Sequence, residues 1–284
     1  MSISAHEMET GVVKRDALPG SDRILPITRV VAGLVTPVLV LAFLILFFAP
    51  GSSGQRFAWE IKPDLTAMFM GAGYLGGAWF FANVLFGRRW HRVGLGFPSV
   101  SVFTVTMLLA TILHWARFDI NRFPFQLWLA LYIVTPLVVP ALWLLNRRAD
   151  PGTPEPGDLA VPGFVRRGYG LLGIGLLAVV VIGFLAPDLF IAVWPWKLTP
   201  LTARVVAGWG SLLGVAGVVS SRDSRWSAWR LGLQSIFIWQ ALTLVAAVLR
   251  PGDFTRGSLF NWYVGALAAA LASIAGLYAA MKRR

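Results

Sequence analysis

Seven charged or titratable side chains stand at the ends of apolar stretches and fall on one side of the chain's alternating charge pattern: Asp64, His114, Arg117, Asp119, Arg204, Arg250 and Asp253. Carboxylates near an imidazole are the residue types for general acid–base work, and carboxylates alternating with arginines suit an anion-binding vestibule. The two stretches carrying most of them echo each other: Arg117-Phe118-Asp119 with Arg122, then Arg250-Pro251-Gly252-Asp253-Phe254 with Arg256. Exposed pairs of this kind contribute only about 0–1 kcal/mol each. With Glu60 and Lys197 nearby in the same stretches, the seven residues form the candidate binding site, an outer charged vestibule.

Other chemistries are short of residues. None of the 13 acidic residues falls in the middle of an apolar run, where a proton- or sodium-coupled carrier would need a carboxylate. There is no cysteine, which removes disulfides and thiolate nucleophiles. His91 and His114 lie at opposite ends of an apolar run, so the pair cannot ligate one haem. Read along the chain, no Ser/His/Asp set, no carboxylates at helical spacing and no phosphate loop stand out, so neither a cofactor nor a metal is expected. Gly168-Tyr-Gly170-Leu-Leu-Gly173 has the spacing of a dinucleotide fingerprint, but these glycines open an apolar helix rather than a strand-to-helix turn.

The elements that hold these residues follow from hydropathy and repetition. The chain is 57% hydrophobic and 13% charged, with mean hydropathy +0.69, far from a soluble domain. Eight predominantly apolar runs are candidate membrane spans, each near the roughly 20 residues that a span requires: 28–48, 63–86, 97–116, 125–145, 168–185, 200–219, 228–249 and 259–281. The net charge of +12 sits in short clusters between runs, including Arg88-Arg89, Arg147-Arg148 and Arg166-Arg167. That is the pattern of retained cytoplasmic loops rather than of a nucleic-acid face. Only Arg56, Lys62, Arg117, Arg122, Lys197, Arg204, Arg250 and Arg256 fall on the other side, which places both termini in the cytoplasm.

Trp59-Glu-Ile-Lys-Pro63 before Thr66-Ala67 recurs as Trp196-Lys-Leu-Thr-Pro200 before Thr202-Ala203, and each copy follows an Ala-Pro step. A repeat at half the chain length signals duplication. The Pro/Gly-rich stretch 149–165 divides the chain into four spans and four spans, so both copies point the same way. The expected fold is an all-α integral membrane protein of eight transmembrane helices arranged as two parallel four-helix repeats, 28–148 and 166–284. Residues 1–27 read as a loosely attached tail. Within the motif, Thr199-Pro200 is a helix start, Asp64 suits a helix N-terminus, and Trp59, Trp194 and Trp196 suit the interfacial aromatic belt. Glycines in the second and sixth spans allow close helix approach and mark the interface between the halves. Arg204, one turn into the sixth span where the first half has Met68, breaks the symmetry and is expected to snorkel outward.

Trp194-Pro-Trp-Lys-Leu-Thr-Pro-Leu-Thr-Ala-Arg204 resembles a W-P-W-x-L-T-P-L-T-A-R signature of uncharacterised bacterial multi-pass membrane proteins, and the four-span half is distantly similar to DoxX-like four-helix membrane proteins. Neither resemblance implies an activity or catalytic residues. The first expectation is therefore a non-enzymatic accessory or scaffold component of the bacterial inner membrane. Its surroundings would be the lipid bilayer and a membrane-protein partner or second copy, with no nucleic acid. Two alternatives remain: an uncoupled transporter or lipid-handling protein using the cleft between the repeats, and an outer-face enzyme on a lipid-linked substrate.

Overall fold

The computed structural model describes residues 20–282. The expectations placed on residues 1–19 of the tail and on 283–284 lie outside the described residues. The described chain is all-helical, without a β-strand, and eight of its helices are long and apolar enough to cross a membrane. They are α1 (Pro26–Phe43, continued by a π-helical turn Leu44–Phe48), α2 (Asp64–Phe86), α3 (Gly96–Leu113), α4 (Phe123–Asn146), α5 (Gly163–Leu185), α6 (Pro200–Ser220), α7 (Trp226–Leu249) and α8 (Gly257–Lys282). A short helix, Pro187–Val193, links α5 to α6. The side carrying Trp59 and Trp196 is called the motif face, and the side carrying 149–162 the linker face.

Helix starts follow local chemistry. Proline stands in the first turn of α1, α4 and α6, where its missing N–H costs nothing. Thr199 caps α6: its hydroxyl accepts from the Thr202 amide while the Thr202 side chain returns the bond, a capping box. The expected N-cap at Thr199 is therefore present. The start of α2 has no side-chain cap of its own and takes one from elsewhere, as described below.

The spans sort by burial. Within their apolar windows α2 and α6 are 61% and 56% buried, against 22% for α4, α5 and α8. Leu34, Leu137, Leu171 and Leu185 stand exposed on the outer helices, a surface suited to an apolar medium. Packing runs α1 on α2 and α5 on α6, α3 on α4 and α7 on α8, then α2 on α7 and α3 on α6. Consecutive helices α2 and α3 share no extended contact. Each run of four spans is thus two hairpins, joined to the other run through α2–α7 and α3–α6, and in the first run also tied to each other by side chains, Asn146 donating to the Thr28 hydroxyl at 2.7 Å.

Glycines set these approaches. A β-carbon at Gly173 of α5 would stand 2.6 Å from the Gly214 carbonyl of α6, and Gly73 of α2 leaves the space that the Trp209 ring occupies. At the centre of the bundle Phe69, Trp209 and Trp239 meet edge-on or tilted, with ring centroids 5.3–6.5 Å apart. The glycine-rich α2 and α6 do reach across between the halves, but mainly onto α7 and α3 rather than onto each other.

Two sequence expectations are corrected here. Trp59 and Trp196 are not interfacial: they are 5% and 0% exposed. Trp59 packs against Phe118 and Trp128, and Trp196 against Phe254 and Tyr263. The described part of the tail is not loose. The Gly20 and Asp22 amides donate to the Arg148 and Ala149 carbonyls, and the Asp22 carbonyl accepts from Trp90.

Candidate functional site

On the motif face the seven candidate residues do not make one vestibule. Asp64 and Arg250 form an ion pair at 3.1 Å, and Asp253 Oδ2 accepts the Leu65 amide at 2.8 Å. The loop between α7 and α8 thereby supplies α2 with the N-terminal acceptor its own sequence lacks. Arg204 and His114 meet elsewhere, where α6 begins beside the end of α3. Arg204 Nη1 donates to His114 Nε2 at 2.8 Å, and its Nε donates to the Phe184 carbonyl at 2.9 Å. Arg204 is held by two acceptors and does not snorkel freely. Asp119 stands apart in a local turn, accepting the Asn121 amide at 3.0 Å.

Electrostatics fix the state of the second junction. Burial pushes the His114 imidazole below the ordinary histidine value of 6.5, and the charges of Arg204 and Arg117 push it further in the same direction. A neutral ring keeps Nε2 as an acceptor for the guanidinium. Arg117 thus bears on this junction through its charge, and the two junctions hold opposite chemistry: carboxylates with arginine at one, imidazole with arginine at the other. The carboxylates of Asp64 and Asp253 are at the first junction and the imidazole of His114 is at the second.

The linker face holds a network that the linear reading missed. Asp22 Oδ2 lies 2.7 Å from His91 Nδ1, and His91 Nε2 lies 3.1 Å from Ser227 Oγ. This is the connectivity of a catalytic triad, drawn from positions 69 and 136 residues apart, which is why no local pattern reveals it. Its surroundings argue for a clamp. Ser227 is 2% exposed; its hydroxyl donates to Asp158 Oδ2 at 2.6 Å and its amide to Asp158 Oδ1 at 2.9 Å. The nucleophile position is closed, and the amide that an oxyanion hole would use is already committed.

Next to it Arg225 is 7% exposed and held by Asp150 and Asp223, each with a contact at 2.6 Å. The hydrogen bonds that Arg225 donates to Asp150 raise the guanidinium above its ordinary value, against the effect of burial. Burial alone would push the Asp150 carboxyl up, but Arg225 and the Gly152 amide outweigh it and hold the carboxyl below its ordinary range. Glu155 is held low in the same manner, with Arg92 opposing burial. The stretch 149–165 therefore binds the tail, the α2–α3 loop and the start of α7 together, where the sequence suggests a spacer.

Two apolar cavities lie between the hairpins. The first, about 290 Å³, is flanked by α1 and α4 with Tyr74, Trp209 and Trp239 in its wall; the second, about 670 Å³, is flanked by α5 and α8 with Trp229, Gln240 and Tyr263 in its wall. In the first, the Tyr74 and Tyr132 hydroxyls face each other at 3.4 Å. Both cavities border Phe80, Gly96, Ala216 and Gly232 in the half nearer the linker face, whereas the half nearer the motif face is filled by the central tryptophans. No sequence periodicity signals these spaces, because their walls come from helices far apart in the chain.

No protein-family model, curated protein or solved structure matches the chain.

Proposed function

We propose that the chain is a non-catalytic accessory component of the bacterial inner membrane whose working surfaces are the two lipid-facing cavities between its hairpins. The observation that carries this reading is the pair of apolar spaces of about 290 and 670 Å³, walled by aromatic side chains and flanked by the poorly buried outer helices. Apolar walls with few polar groups suit hydrocarbon chains rather than hydrophilic solutes. Transport along the bundle axis is disfavoured, since Trp209 fills the space beside Gly73 there. An outer-face enzyme is disfavoured because the carboxylates and His114 stand at separate junctions.

The architecture belongs to the same reading: two parallel four-helix repeats with both termini cytoplasmic, so that the motif face is the outer one. In its support, moving each packed pair four spans along the chain reproduces the set of pairs, α1 on α2 becoming α5 on α6 and α2 on α7 becoming α6 on α3. Trp59 and Trp196 also pack on equivalent aromatic pairs. The bilayer is the first partner; a membrane protein or second copy would meet the exposed ridges of the outer helices.

The test is native mass spectrometry of the chain purified from membranes in mild detergent. Retained lipid is expected, and Gly232→Leu is expected to lower its occupancy, because a side chain at Gly232 enters open space bordering both cavities. Unchanged occupancy in that variant would sink the reading. For orientation, Lys197→Cys and Thr153→Cys, both exposed positions in a chain without cysteine, are labelled in intact cells with an impermeant maleimide. Labelling of the second and not the first would reverse the assignment.

A further inference from the structure

The cavity between α1 and α4 is a groove that crosses most of the bilayer. Its wall runs from Thr28 and Leu142 near the linker face to Arg56 and Phe123 at the motif face. The α1 portion, from Thr28 to Ile45, rises about 25 Å at 1.5 Å per residue, close to the ~30 Å thickness of a bilayer core. A groove of that length with apolar walls fits a long hydrocarbon chain.

The motif-face mouth of this groove is cationic. Arg56 is exposed and, among the described residues, has no ion-pair partner. Arg122 directly precedes Phe123 and Pro124 of the groove wall, and its Nη2 donates to the carbonyl of Gln55, the residue before Arg56. That bond draws two arginine-bearing segments together, and Asp119, the carboxylate in the turn of Arg122, accepts the Asn121 amide at 3.0 Å. Glu60, the acid nearest in sequence to Arg56, is occupied by Lys62 at 2.6 Å. A guanidinium carries five N–H donors in a planar fork that matches phosphate oxygens, and Arg122 spends only one on Gln55. The second cavity has no equivalent: at the motif face its wall is Trp194, Pro195 and Trp262, and its one arginine, Arg92, is bonded to Glu155.

We propose that the α1–α4 groove binds a membrane lipid of net negative charge, its phosphate held by Arg56 and Arg122 and its chain lying in the groove. This rests on the reading of the cavities as lipid sites and adds the head-group class and the single groove that selects it. Binding combines burial of the chain with charge-assisted hydrogen bonds from the two arginines at the surface.

The experiment uses the full chain in detergent, with equal amounts of phosphatidylglycerol and phosphatidylcholine added before native mass spectrometry. The intact chain is expected to favour phosphatidylglycerol about tenfold, the scale of one or two charge-assisted hydrogen bonds. Arg56→Gln/Arg122→Gln is expected to abolish that preference while still retaining lipid. Arg56→Gln alone, at an exposed residue, should lose part of it and serves if the double variant does not fold. An undiminished preference in these variants overturns the head-group assignment, even where Gly232→Leu still reduces total lipid. Displacement of phosphatidylglycerol by an equal concentration of inorganic phosphate would show a free-anion site and overturn the lipid assignment.

Discussion

The Trp196 indole donates to the Thr66 hydroxyl at 2.9 Å, so one copy of the repeated Trp-Pro-Thr motif holds the other. Trp196 is fully buried and Thr66 equally so. The indole reaches across from the short loop before α6 to the first turn of α2, and Phe254 and Tyr263 fix its plane. What reads along the chain as two separate helix starts is in space a direct contact between them.

Removing both partners of that bond should cost less than the two single removals added together. Thr66→Val leaves the indole N–H unpaired in a buried site, whereas Thr66→Val/Trp196→Phe removes donor and acceptor together. A double-mutant cycle of unfolding in detergent is expected to give a coupling of about 1 kcal/mol. A coupling near zero would mean that the contact adds nothing beyond its aromatic packing.

The His114–Arg204 junction should make the protein acid-sensitive. Burial and two neighbouring cations lower the folded-state value of His114, so the unfolded chain binds the proton more readily. Stability therefore falls as pH drops below the ordinary histidine value of 6.5. Thermal unfolding measured at about pH 7.5 and about pH 5.5 should show a loss that shrinks in His114→Gln, whose amide can still accept from Arg204. An identical pH response in that variant would place the acid sensitivity elsewhere.

At the linker face, Arg225→Met should be costly. It leaves Asp150 and Asp223 facing each other without their shared cation, and breaking a buried pair from one side costs about 3–5 kcal/mol. Chemical denaturation monitored by tryptophan fluorescence should show a loss near the lower end, since both carboxylates retain some exposure. Ser227, for its part, should not be labelled by a fluorophosphonate, because its hydroxyl is buried and bonded to Asp158. Labelling would reopen the hydrolase reading of the Asp22–His91–Ser227 line.

Packing at the bundle centre gives a fourth test. Gly73→Ala sets a methyl against the Trp209 ring and should destabilise by about 1–3 kcal/mol, the usual range for an overfilled core. Gly73→Ala/Trp209→Phe should recover part of that loss by freeing ring volume. Equal stability of the two variants would show that the helices separate to accommodate the methyl.

Much of the frame was legible because membrane spans impose a strong local pattern. All eight spans appear within a few residues of their expected ends, and Thr199 caps α6 as its sequence suggests. The rejection of the Gly168-Tyr-Gly170 fingerprint also agrees with the structure, since these glycines lie inside α5 and Gly170 and Gly173 face α6. What could not be read were partners chosen by tertiary packing. Asp22, His91 and Ser227 each look ordinary in sequence, and only the folding of the tail, the α2–α3 loop and the start of α7 onto one another joins them. Trp59 and Trp196 have the residue type of an interfacial anchor, yet the loops close over them and bury them. The charged vestibule split in two because the same residue types serve different helix junctions.

The interleaving of the hairpins also has a consequence for synthesis. A chain made from its N-terminus places α2 and α3 in the bilayer well before α7 and α6, the helices they pack on, have been translated. Until then their small-residue faces, shaped for close contact, meet only lipid. In that interval the first four spans have only their own contacts, such as Asn146 to Thr28, and the buried clamp of Asp22, His91 and Ser227 can close only once the start of α7 has emerged. Assembly is therefore gated by the arrival of the second half rather than completed half by half.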